Sequence, residues 1–144
     1  MPNTNYDTDF YGWANEQASL LRAGQFSAAD MENIAEEIES MGSSQRKELR
    51  SRLVVLLLHL LKWQLQPKGR CSSWETSIRV QRNDLAIHIR YNPSLKPQVP
   101  DAILSAYENA QLLAAEETKL PNSMFPGECP YSFEQIMDRD FFPQ

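Results

Sequence analysis

The residues best equipped for chemistry sit inside apolar helical patterns rather than in loops. His59 interrupts the long apolar run from Leu53 to Leu61, where an imidazole needs a partner for each ring nitrogen or it costs stability. Glu37, at the edge of the preceding apolar stripe, is its expected partner. Such a pair serves as an oriented general base, as half of a metal site, or as a buried structural hydrogen bond. Lys62, Gln81, Arg82 and Glu117 form a second group. Gln81 or Arg82 falls between Ile78 and Leu85, where the stripe should be apolar, and Glu117 continues a buried face one turn beyond Ala114. A carboxylate there is expected to pair with an arginine on a neighbouring helix. Facing a cleft with His59, the same group would make an anion or phosphate site and a hydrolase or nuclease-like centre. Arg46, Lys47, Arg50 and Arg52 put several cations on one helical half, a solvated face or a weak anion and nucleic-acid surface.

Other chemistry has little to stand on. Neither His59 nor His88 has a glutamate three residues before it, as the carboxylate-bridged di-metal bundles require. Asp84 and His88 supply only two ligands at helical spacing, and His88 reads as peripheral. Cys71 lies in a basic loop with Lys68 and Arg70, a setting that can activate a thiol, but no surrounding signature accompanies it. Cys129 reads as a packed loop residue. No glycine-rich phosphate loop, nucleophile elbow or zinc-protease motif is present. The expectation is therefore no metal and no cofactor.

The frame that must position these residues is small. The chain has 144 residues with 42% hydrophobic content, enough for one domain with its own core. Two cysteines exclude a disulfide framework. No apolar run reaches membrane-spanning length, and the polar, acidic start is wrong for a signal peptide, so a cytoplasmic protein without a membrane partner is expected. The net charge of −5 is unevenly spread: Arg46 to Lys96 holds eleven of the fourteen basic residues and three acids, a balance of +8 that leaves −13 on the flanks.

Helical periodicity runs almost throughout, broken at Gly and Pro. The spacing predicts a first helix from Thr8 to Arg22 closed by Gly24. A second, with Phe26 as hydrophobic staple and a stripe of Met31, Ile34, Ala35, Ile38 and Met41, stops at Gly42 and forms an antiparallel hairpin with the first. A third, Ser44 to Gln66, is capped by Ser43 or Ser44, ends at Pro67 and is apolar all round from Leu53. A fourth runs from Ser73 to Tyr91, with a second, weaker stripe of Val80, Ile87 and Tyr91. A fifth runs from Pro100 to Lys119, and a short last helix spans Ser132 to Met137. The tail Phe141-Phe142-Pro143 is expected to dock. The reading is all-α: a single helical-bundle domain over 1–144 with about five main helices, a short C-terminal helix, and a loose tail at residues 1–6.

With the elements placed, the chain resembles a known bacterial family, the domain-of-unknown-function twenty-nine family. The resemblance rests on Asp9-Phe10-Tyr11-Gly12-Trp13, Leu20 to Gly24, Ile34 to Gly42, His59 to Gln64, Ser73-Trp74, Gln81-Arg82, Asn92 to Leu95, Tyr107, Ala115 to Thr118 and Phe125 to Tyr131. It implies an all-helical fold and a bacterial cytosolic setting, and assigns no activity to any position. The charge layout, the second stripe of the fourth helix and the lack of a catalytic signature favour a small adaptor or regulatory protein. Such a protein would act through an unknown protein partner or self-association. The enzyme centred on Glu37, His59, Lys62, Arg82 and Glu117, and nucleic-acid binding through residues 46–96, are the alternatives.

Overall fold

The described residues form five α-helices: α1 (Phe10–Arg22), α2 (Met31–Leu65), α3 (Ser72–Tyr91), α4 (Val99–Thr118) and α5 (Phe133–Met137). Single turns of 3-10 helix fill most of the connections. The structure, a computed structural model, describes residues 5–144; of the expected loose tail, residues 1–4 lie outside the described residues. The all-α expectation holds, and there is no strand among the described residues.

One expected boundary is missing, and the other ends shift by at most two residues. The second and third expected helices are a single helix, the 35-residue α2. Gly42 lies within it and a Cβ there would meet nothing, so the residue costs only about 1 kcal/mol relative to alanine and breaks nothing. Ser44, expected as a cap, instead donates back to the Ser40 carbonyl at 2.9 Å, a bond made inside a helix. Real ends are built differently. Gly24, at φ +73°, takes the left-handed conformation that closes α1. Asp30 opens α2, accepting from the Asn33 amide. Because the cap is Asp30, Phe26 is not positioned as a staple and stands 57% exposed.

The described residues up to Ser44 form one compact unit and Gln45–Gln144 another. The first is held by a polar and aromatic knot. Trp13 is buried, its indole N–H donating to Asp30 at 3.0 Å, and its ring meets the Tyr6 ring edge-on at 4.7 Å. Buried Gln17 accepts the Asp30 amide at 2.7 Å. The Tyr6 hydroxyl donates to Glu37, and that carboxylate pushes the phenol up to about 12.

The second unit has a conventional apolar core. Leu49, Leu53, Leu56, Leu57, Leu60 and Leu61 of α2 are fully buried against Ile78 and Leu85 of α3, Ala106, Ala110 and Ala114 of α4, and Ile136 of α5. The C-terminal half of α2 is the central helix its all-round apolar sequence requires. Alanines at four-residue spacing on α4 allow close packing of the neighbouring side chains. The tail docks as expected: Phe142 packs against Trp63 at 4.9 Å and Phe141 against Tyr131 at 5.8 Å. No helix among the described residues is long and apolar enough to cross a membrane.

Candidate functional site

Each of the five candidate catalytic residues has a partner in the structure. Glu37 belongs to the first unit and accepts from Tyr6. His59 belongs to the second and bonds through Nδ1 to the Val55 carbonyl of its own helix at 2.8 Å. Each therefore has a partner other than the one expected. Lys62 and Glu117 do meet, Nζ to Oε1 at 2.7 Å, so the acid's partner is this lysine rather than an arginine. Lys62 is buried and also lies over the Trp74 ring at 4.6 Å, an aromatic face that favours the charge where water cannot.

Arg82 is the most constrained cation of the chain. It is 3% exposed and donates to the main-chain carbonyls of Ile136 at 2.7 Å, Phe141 at 2.8 Å and Gln135 at 3.3 Å. The polar residue in the α3 stripe therefore pins α5 and the tail to α3. Burial pushes its guanidinium down from its ordinary range, with the Asp138 carboxylate acting the other way. The arrangement is a structural peg.

The basic half of α2 is partly engaged as well. Arg52 bonds Glu48 at 3.0 Å and Asp84 at 3.1 Å, with Gln81 at 3.5 Å. Arg50 donates to Ser105 of α4 at 2.6 Å. Arg46 and Lys47 remain exposed. His88, expected to be peripheral, is buried, with Nε2 at 2.8 Å from the Gln45 carbonyl and Nδ1 at 3.3 Å from Glu48. Its pairing with Asp84 as a chelate does not form, since Asp84 binds Arg52. Among the described residues no three His, Cys, Asp or Glu side chains gather as a metal site. Cys71 is exposed and free. Cys129 is half-buried, which pushes its thiol up and makes it a poorer nucleophile.

The feature that stands out is on the first unit. α2 directs Asn33, Ile34 and Glu37 inward and leaves Met31 at 48%, Ile38 at 61% and Met41 at 62% exposure, with Ala35 also exposed between them. Three turns of an apolar stripe are thus uncovered. Exposed Glu32, Glu36 and Glu39 run beside it, and no basic residue occurs between Arg22 and Arg46. Periodicity identified this stripe, but the knot that turns it outward (Trp13, Gln17 and Asp30) went unread. Its only sequence trace is the capping pattern of Asp30 and Asn33 and a glutamine within the α1 stripe.

That knot titrates. The hydrogen bond from the Asn33 side chain holds the Asp30 carboxyl below its ordinary 3.8; burial opposes it, and the Trp13 indole and the Asn33 amide add to the lowering. A carboxyl depressed by folding contributes stability above its unfolded value, and the contribution is lost as pH falls through the folded value. The Trp13 indole N–H resonance is therefore expected to titrate with a midpoint below 3.8. Asp30→Asn should remove that titration.

The family model for Domain of unknown function DUF29 matches residues 5–142. No curated protein and no solved structure matches the chain. With nearly its whole length matched, the chain belongs to the DUF29 family.

Proposed function

We propose that the protein is an adaptor whose N-terminal unit holds a cationic amphipathic helix of a partner protein. The observation that carries this is the uncovered stripe of Met31, Ile38 and Met41 beside Glu32, Glu36 and Glu39. An amphipathic helix binds such a face by placing its own apolar anchors on the stripe. Methionine, flexible and polarizable, suits a surface that must adapt to its ligand. The acidic row selects the sign of the partner. Two copies of this face would bring like charges together, which disfavours self-association through it.

The hydrolase or nuclease-like reading has less support, because its five residues fall into separate pairings. Nucleic-acid binding through residues 46–96 loses Arg50 and Arg52 to contacts within the fold.

The test uses a designed Leu/Lys amphipathic helical peptide and a scrambled isomer of identical composition, titrated calorimetrically into the full chain. Saturable binding of the amphipathic peptide alone is expected, weakening as salt rises. Burial of an exposed Ile or Met side chain is worth about 1.5–3 kcal/mol, so Ile38→Glu with Met41→Glu should weaken binding at least about tenfold. Both residues are exposed, so the fold should persist by circular dichroism. Equal binding of the scrambled isomer, or indifference to the two substitutions, would overturn the proposal. So would a dimer at working concentration that Ile38→Glu dissociates.

A further inference from the structure

Arg82 has one more property. Its Nε and Nη2 are bonded to carbonyls, but Nη1 is buried with no partner, the one such side-chain nitrogen or oxygen found among the described residues. Buried donors in native proteins nearly always have an acceptor, and an unmet one is costly. The Phe142 ring, 5.4 Å from the guanidinium carbon, offsets part of that cost without supplying a lone pair.

The same arginine lines a groove of about 240 Å³ with Arg79, Asn83 and Arg139. Arg79, Arg82 and Asn83 come from one side of α3, and Arg139 follows α5. The side chains of Asn83 and Arg139 make no hydrogen bond or ion pair. Arg79 is held by Glu75 at 2.8 Å on an exposed surface. Asp138 and Asp140 flank Arg139 in the chain. Asp138 influences Arg82 but forms no ion pair with it, and its Oδ1 accepts the Asp140 amide. The wall thus offers three guanidiniums and an amide, rich in donors, with the side chains of Asn83 and Arg139 unpaired and Arg79 bonded through Nη2 alone.

We propose that this groove binds a small tetrahedral oxyanion of the phosphate class, either inorganic phosphate or the phosphate of a small phosphomonoester. Guanidinium forks match the oxygen spacing of such an anion better than any other side chain. The volume lies below the roughly 300–1,000 Å³ of pockets that enclose drug-sized ligands, which favours a small anion. Charge on the anion would also relieve the repulsion among three neighbouring arginines. The bound group would sit against the residue that pins α5 and the tail, linking occupancy to the hold on residues 135–141.

The full chain is titrated calorimetrically with sodium phosphate and with phenyl phosphate, against sodium chloride at matched ionic strength. Saturable one-to-one binding of at least one phosphate probe is expected, and the tighter of the two identifies the source. A charge-assisted hydrogen bond is worth about 1.5–3 kcal/mol, so Arg139→Ala should weaken binding about tenfold or more and Arg139→Glu should abolish it. Asn83→Ala should weaken it several-fold. Arg139 and Asn83 are exposed and unpartnered, so these variants should remain folded. Chloride matching phosphate, no saturation with either probe, or unchanged affinity in Arg139→Glu would overturn the assignment.

Discussion

Replacing Arg82 with methionine lowers stability by about 2–4 kcal/mol, with the loss centred on the C-terminal segment. Methionine keeps most of the aliphatic length, so the packing of α3 against the core changes little. What disappears is the set of donors to the carbonyls of Gln135, Ile136 and Phe141. A buried carbonyl left without a partner costs about 1–3 kcal/mol, and the Ile136 carbonyl is the one in a fully buried contact. Two effects pull the other way: the guanidinium no longer has to be desolvated, and its unmet Nη1 goes with it. The net remains a loss, because three acceptors outnumber the single donor that is relieved. Amide exchange should speed up across residues 133–142, while the Leu49–Leu61 core of α2 stays protected. Uniform acceleration through both regions would instead mean that Arg82 supports the whole core.

The parts of this architecture that the sequence makes legible are those set by side-chain polarity along one helix. Leu53 to Trp63 announces a central helix because it is apolar almost all round, and Pro67 and Asn92-Pro93 mark ends because proline cannot continue a helix. Gly42 carries a weaker message. A lone glycine lowers helix stability without forbidding the conformation, and its neighbours supply no competing cap. The pairing of Glu37 with His59 is read from one stripe's edge and one imidazole in an apolar run, and neither residue type names its partner. Arg82 shows a second limit. Its place in an apolar stripe flags it as unusual, but its partners are main-chain carbonyls, which leave no mark on residue type. The Met31–Met41 stripe shows a third. Periodicity tells that a face is apolar, not what covers it, and here the Trp13–Asp30 contact helps set which face turns inward.

That contact makes Trp13→Ala the substitution with the largest expected effect on the first unit. A tryptophan 4% exposed, replaced by alanine, costs about 3–5 kcal/mol in lost burial and cavity. The indole also donates to Asp30, the residue that caps α2, and its ring meets those of Tyr6 and Phe10. Removing it therefore loosens the cap, the Tyr6 contact and the packing of α1 together. Among the described residues the first unit has no fully buried leucine to compensate, since the large fully buried side chains all lie beyond Ser44. Trp13→Phe separates the two contributions. It keeps an aromatic ring but no indole N–H, and should recover most of the packing while leaving Asp30 short of a donor. In Trp13→Ala, binding of the cationic amphipathic peptide should be lost although Met31, Ile38 and Met41 are unchanged. Phosphate binding at Arg139 and Asn83 should persist, because its residues belong to the other unit. Loss of both would show that the groove depends on the first unit. Retention of peptide binding would show that the stripe of α2 works without the knot that orients it.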